Sequence, residues 1–293
     1  MILVAGSTGV LGSEIVRRLL AKGEQVRALV RATSNPATVT ALKTAGAEIV
    51  VGDLKIPSSL DSACRGVNAV ISGVTAVTTA KEGDSFAATD GKGNKNLVDA
   101  ARKAGVRKFV FVSFDAQCSP SAPLADAKVD AEQHLKDSGL NYTILHPSLF
   151  CESWLGPMLF ADPAAGTARI YGDGNHKIRY IAVADVAQLA IQSLTNVAAD
   201  NAVIPFGGPE EITQREAVEL FEKKTGRKFD VTFLPEEALE VQWRSAEDPF
   251  QKTFAALMLG IARGYDSGMN PPFEKFPMKM TSAREWIEQH AGR

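Results

Sequence analysis

Three glycines near the start of the chain limit its fold more than any other feature. The apolar run Ile2-Leu3-Val4-Ala5 leads into Gly6-Ser7-Thr8-Gly9-Val10-Leu11-Gly12. The stretch Ser13–Lys22 follows, with Ile15, Val16, Leu19 and Leu20 on one face and Gly23 at its exit. This order predicts a strand, a tight turn and an amphipathic helix. Glycines in such a turn let backbone N–H groups approach a pyrophosphate, and the helix N-terminus adds its positive dipole end. The GxxGxxG spacing is slightly wider than the common GxGxxG. A tight structural turn would use glycines too, but the strand-to-helix setting favours phosphate binding.

The same alternation continues to about residue 150. Gln25–Val30, Glu48–Val51, Ala69–Ser72, Lys108–Ser113 and Tyr142–His146 read as further strands, and Lys92–Ala104 as an amphipathic helix ending at Gly105. Val- and Ile-rich strands separated by helices predict a parallel sheet covered on both faces, a doubly wound Rossmann fold. Past 150 the rhythm changes, with Pro157, Pro163, Gly166, Gly172 and Gly174 interleaved with aromatics. A helix near Asp185, a strand at Ala202–Phe206, a capped helix from Thr213 to Gly226 and a helix carrying Phe250, Phe254, Leu257, Met258 and Ile261 are expected. The reading is a dinucleotide-binding domain over 1–150 and a smaller, mostly helical substrate region over 151–293, interlaced with the sheet.

Composition narrows the class. With 45% apolar and 23% charged residues and a net charge of -2, the chain lacks the basic stripe that nucleic acid or a membrane surface would require. Cys64, Cys118 and Cys151 are an odd, widely spaced set without a CxxC pair, predicting reduced thiols. Met1 runs straight into the first strand without a basic leader, so a cytoplasmic setting is expected. Four histidines, His134, His146, His176 and His290, have no metal-ligand spacing, and no metal site is expected. No GxSxG elbow or Walker lysine occurs. Monomer and homodimer are both compatible with the sequence.

The end of the second strand selects the cofactor. An acid there would accept from the ribose 2′-OH of NAD, but the chain reads Ala28-Leu29-Val30-Arg31, with no acid until Glu48. Arg31 is either a solvated strand-end residue or a partner for a 2′-phosphate, and the latter favours NADP(H) over NAD(H). Asp53 and Leu54 are placed beside the adenine, and Ser72, Gly73 and Val74 beside the nicotinamide-side ribose.

These stretches resemble the atypical short-chain dehydrogenase superfamily, in its NmrA-like and isoflavone-reductase-like branch. The matching residues are Gly6 to Gly12, Val30-Arg31, Gly52-Asp53-Leu54, Asn96 to Ala101, Gly105 to Val110, Lys128, Leu140 to Pro147 and Ala184 to Ala187. The resemblance implies NADPH-dependent reduction of quinones, phenylpropanoids and related small molecules, although some members are cofactor-sensing regulators without turnover. Commoner short-chain dehydrogenases use a Tyr-x-x-x-Lys pair; here Lys128 matches the lysine and Leu124 stands at the tyrosine position.

Lys128 also shares the inward stripe of its helix with Leu124, Ala131 and Leu135, where an ammonium requires a partner. It either snorkels or pairs with Glu132, or it serves the cofactor ribose and catalysis. Ser113 ends the fifth strand, where the resemblance places an active-site serine, and its hydroxyl either bonds backbone or donates to a substrate carbonyl. His146 is read first as packing. Phe150, Trp154, Met158 and Tyr171, with Phe160 nearby, are expected to line an apolar substrate pocket. The leading reading is thus an NADPH-dependent reductase of a small aromatic, quinone-like or enone/carbonyl acceptor. The alternative is a non-catalytic NADP(H) sensor with a protein partner. Sugar-nucleotide epimerase chemistry is disfavoured because it leans on the missing tyrosine.

Overall fold

Burial explains which runs became central strands. In the computed structural model, which describes residues 1–77, 83–264 and 270–291, β1 (Ile2–Ala5) is buried at every position. After α1 (Val10–Ala21) and β2 (Val26–Val30) come α2 (Pro36–Thr44) and β3 (Glu48–Val51), a strand exposed at both ends that closes one edge. Next come α3 (Pro57–Cys64) and β4 (Ala69–Ser72), again buried throughout. A π-helical stretch over Phe86–Gly93 leads into α4 (Asn94–Lys103), then β5 (Lys108–Val112), α5 (Pro123–Asp137) and β6 (Asn141–Pro147).

The remainder runs α6 (Cys151–Trp154), β7 (Ala161–Asp162), β8 (Thr167–Tyr171), β9 (Lys177–Ile178), α7 (Val183–Gln192) and β10 (Ala202–Phe206). It ends with β11 (Ile212–Thr213), α8 (Gln214–Thr225), β12 (Asp230–Leu234), α9 (Glu236–Ser245), α10 (Pro249–Ala262) and α11 (Ala283–His290).

The main sheet has seven strands in the order β10-β6-β5-β4-β1-β2-β3. The pairs β1–β2, β2–β3, β1–β4, β4–β5 and β5–β6 are parallel, as the Rossmann reading requires. Strand order reverses between β1 and β4, so their carboxyl ends diverge into two loops at the place where open α/β sheets take ligands.

The chain divides into two compact units. The first comprises Met1–Phe114, Leu124–His146 and Val186–Ile204. Its core includes Leu3, Val70, Leu97, Phe109 and Ile144. The second comprises Asp115–Pro123, Pro147–Asp185 and Pro205–Arg293, with a core around Phe160, Tyr180, Phe221 and Trp286. It holds helices as expected and also two small sheets, β12-β8-β7 and β11-β9, which the sequence pattern does not announce. Three of those strands span only two residues, too short for a readable alternation.

Candidate functional site

The glycine turn is built in layers. Gly6 has φ +78, and a Cβ there would sit 3.2 Å from the Gly73 carbonyl group. At Gly12 a Cβ would lie 2.1 Å from the Gly6 oxygen, so the first turn of α1 can pack on the loop only as glycine. Gly9 differs: its backbone is extended and a Cβ would meet only the Gly6 oxygen, at 3.4 Å. The fold itself therefore does not demand glycine at position 9. Ser7 is buried and donates from Oγ to the Leu29 carbonyl at 2.8 Å, tying the turn to β2. Thr8 is half-buried, and Leu11 is buried. No side chain caps α1, its first turn carries no acid, and Val10 is 68% exposed. The positive end of the helix thus receives neither a cap nor an acid from its own first turn.

Around the ends of β2 and β3 stands a charged group. Arg31 donates from Nη1 to Asp84 Oδ2 at 2.7 Å, and Lys55 Nζ donates to Asp84 Oδ1 at 2.5 Å. The Asp84 side chain is 2% exposed, while those of Arg31 and Lys55 are 29% and 27% exposed. Asp53 accepts from the Lys55 backbone N–H at 2.8 Å, and its carboxylate lies 3.9 Å from Lys55 Nζ. Leu54 is buried in the core, and its carbonyl accepts from Asn96 Nδ2. Lys55 and Asp84 were not singled out from the sequence. Lys55 follows Asp53 closely enough to have been found, whereas Asp84 is 53 positions from Arg31.

Past β4, Ser72 is fully buried and donates to Asn94 Oδ1 at 2.7 Å, so its hydroxyl braces the strand end. Gly73 donates its N–H to the Ala5 carbonyl at 3.2 Å, knitting the two strand ends together at the switch point. Lys128 is 5% exposed and lies 3.4 Å from Asp90 Oδ1, an ion pair with a fully buried carboxylate. Its Nζ also donates to the Val74 carbonyl at 3.1 Å and to the Val112 carbonyl at 3.4 Å, and it sits over the Phe111 ring. Asp90 comes from the π-helical stretch and accepts from the Ala76 N–H at 2.9 Å. The partner of Lys128 is thus Asp90 and not Glu132.

One turn further along α5, Glu132 is buried and its Oε1 lies 2.8 Å from His146 Nε2; Lys136 stands 3.7 Å away. Burial pushes the Glu132 carboxyl up, but the His146 hydrogen bond and charge, the Ser113 hydroxyl and Lys136 outweigh it and hold the group below its ordinary value. Ser113 Oγ is buried beside this carboxylate without completing a hydrogen bond of ordinary geometry. Its N–H donates to the Leu145 carbonyl at 2.8 Å. Ser113, Glu132, His146 and Lys128 therefore belong to one polar array along α5 and the ends of β5 and β6.

The residues expected to line a substrate pocket are not alike. Tyr171 is a correction: it is buried in the core of the second unit, its hydroxyl donates to the Leu159 carbonyl, and burial pushes its phenol up to about 12. Phe160 is buried in the same core, Phe150 and Trp154 are half-buried, and Met158 is 75% exposed. All three cysteines are buried, and burial raises the thiols of Cys64 and Cys151. Among the described residues no group of three or more His, Cys, Asp or Glu is placed to hold a metal ion. No described helix is long and apolar enough to cross a membrane.

A parallel sheet with a glycine turn and an uncapped helix N-terminus at its switch point defines a dinucleotide-binding protein of the Rossmann type. The chain belongs to the NmrA-like family, whose model matches residues 1–262. It is 31% identical to the photosystem II assembly factor Ycf39 of Guillardia theta, over 100% of this chain and 94% of that protein. It is 30% identical to the isoflavone reductase homolog IRL of Zea mays, over 97% and 92% of the two chains. In structure it is similar to the NADPH-dependent quinone oxidoreductase QOR2 of Escherichia coli, solved in complex with NADPH. That match has a TM-score of 0.77 and 25% identity and covers 99% of both chains. Relatives of the chain thus include both named reductases and named assembly factors.

Proposed function

We propose that the chain binds NADP(H) and passes a hydride from the reduced cofactor to a small aromatic, quinone-like or enone/carbonyl acceptor. Gly9 carries the reading. The fold has room for a side chain there, so the bare backbone is explained by something that must approach it from outside. The backbone N–H groups of the glycine turn, other than that of Gly9, which donates to the Gly6 carbonyl at 3.0 Å, would hold the pyrophosphate at the uncapped end of α1, and Arg31 with Lys55 the 2′-phosphate. Asp53 would flank the adenine, and the backbone of Gly73 and Val74 the nicotinamide-side ribose. When bound, the cofactor supplies the hydride.

Lys128 is held by Asp90 and two carbonyls, so its ammonium has a fixed position. A cation fixed in this way orients a ribose hydroxyl or offsets negative charge developing on an acceptor oxygen. Ser113 places a hydroxyl beside the Glu132 carboxylate at the same strand ends. Leu124 is buried and apolar, so no phenol donates a proton from that position, and an acceptor such as a quinone, which takes protons from water, fits best. The test is calorimetric titration with NADP+ followed by NADPH oxidation against a panel of quinones and enones. Saturable binding and turnover are expected; a flat trace across the panel overturns the catalytic part.

A second reading has its own support. Leu124 and the full-length likeness to assembly factors favour a protein that binds NADP(H) and reports its redox state to a protein partner. It predicts dinucleotide affinity without turnover and a partner whose capture differs between NADP+ and NADPH.

A further inference from the structure

The cations at the end of β2 do not stand alone, and the group between them is a carboxylate of the chain itself. Asp84 joins Arg31 to Lys55 with bonds of 2.7 and 2.5 Å. It is fixed from below: Ser85 caps the π-helical stretch by accepting from the Ala88 N–H, and Thr89 Oγ1 lies 3.5 Å from Asp84 Oδ1. The carboxylate is nearly buried while both cationic side chains keep more than a quarter of their surface exposed. The trio therefore presents cations outward and hides the anion behind them, with one net positive charge.

We propose that Asp84 sets the cofactor preference of this chain. It neutralises one of the two cations that meet the ribose 2′ position and so limits the advantage of NADP(H) over NAD(H). The inference rests on the dinucleotide reading above and adds Lys55 and Asp84 as specificity-determining residues.

A phosphate monoester carries about one and a half to two negative charges near neutral pH, whereas a ribose 2′-OH carries none. Affinity for the phosphorylated cofactor therefore follows the net charge of the trio, and affinity for NAD(H) does not. Asp53, 3.9 Å from Lys55, is a constant background in every comparison. Asp84→Asn raises the net charge of the trio from one to two, Lys55→Met lowers it to zero, and the double variant returns it to one.

The experiment measures Kd for NADP+ and NAD+ by calorimetry, with 2′,5′-ADP and 5′-AMP as probes that lack the nicotinamide half. Asp84→Asn is expected to raise the NADP+ to NAD+ preference about tenfold, and Lys55→Met to lower it by a similar factor. Combining the two is expected to restore the wild-type preference to within about threefold. A double variant that stays at the Lys55→Met level overturns the charge argument, because a merely structural Asp84 gives no rescue. Should Asp84→Asn not fold, Lys55→Met alone decides, and an unchanged preference in it overturns the proposal. Wild-type protein that binds neither nucleotide removes the dinucleotide reading itself; binding of both with an unmoved ratio removes only this inference.

Discussion

At the scale of single residues, the candidate site is a set of buried charges whose partners come from distant parts of the chain. Lys128 and Asp90 illustrate the energetics. Breaking a buried ion pair by removing one member typically costs about 3–5 kcal/mol, because the other is left buried and unpaired, whereas neutralising both is often harmless. Asp90→Asn keeps an acceptor for the Ala76 N–H but leaves the buried ammonium with two carbonyls and no anion. Urea unfolding should show a loss of about 3 kcal/mol in Asp90→Asn, most of it recovered in Asp90→Asn with Lys128→Met. A single variant as stable as the parent would mean that the pair is not coupled. Glu132 gives a pH dependence of definite sign. Its carboxyl is held below the ordinary value in the folded state, so its stabilisation is present above the unfolded value of about 4.3 and is lost as pH falls through the lower folded one. The acid limb of the stability curve should flatten in Glu132→Gln while stability near neutral pH falls, as His146 loses its anion. The two curves should converge as pH falls through the acid limb; a constant offset between them across that limb would contradict this.

At the scale of elements, the glycine turn separates what the fold requires from what a ligand requires. Gly12→Ala drives a Cβ to 2.1 Å from the Gly6 oxygen, whereas Gly9→Ala meets only ordinary contact. Gly9→Ala should melt within about 3 °C of the parent, a shift that corresponds to roughly 1 kcal/mol or less in a chain of this size, and should bind NADP+ at least tenfold more weakly. Gly12→Ala should lose stability outright. A Gly9→Ala protein with undiminished affinity would show that the turn grips nothing. The same elements explain what was legible in the sequence. β1 to β6 were readable because each is a short apolar run between helices, and Thr213 with Glu216 announces the capping box that opens α8. The first turn of α1 was not, since Val10-Leu11-Gly12 belongs to the glycine motif and yet is already helical. Nor was the π-helical stretch Phe86–Gly93, although it delivers Asp90 to Lys128 and Asn94 to Ser72. Local periodicity carries no trace of such deliveries, which depend on strands brought together across the sheet. Tyr171 departs from the sequence expectation for a related reason: an aromatic in a proline- and glycine-rich stretch looks like a pocket wall until β8 places it in a core.

At the scale of the whole molecule, the order in which the chain visits its two units decides which pieces can fold. The chain passes from one unit to the other after Phe114, Pro123, His146, Asp185 and Ile204, so neither unit is a continuous segment. A fragment ending at residue 150 carries the glycine turn, Arg31, Asp53, Lys55, Asp84 and Lys128, all the side chains assigned to the cofactor or to its selection. It lacks β10, the neighbour of β6 in the sheet, and the stretch Val186–Ile204 that the first unit claims from later sequence. Within that stretch Ala199 accepts hydrogen bonds from Thr143 Oγ1 and from Lys108 Nζ, and Asp200 pairs with Lys108 at 2.7 Å. Truncation would leave β6 as an exposed edge and the Lys108 ammonium, 8% exposed at its side chain, without its carboxylate. The fragment should keep much of its far-ultraviolet dichroism but lose near-ultraviolet signal, bind a hydrophobic dye and fail to bind NADP+ at concentrations that saturate the full chain. A cooperative melt together with full-chain affinity in the fragment would show that residues 1–150 hold the site unaided. In that case the later strand and helix would serve the second unit alone, and the cofactor half would behave as a module separable from the rest.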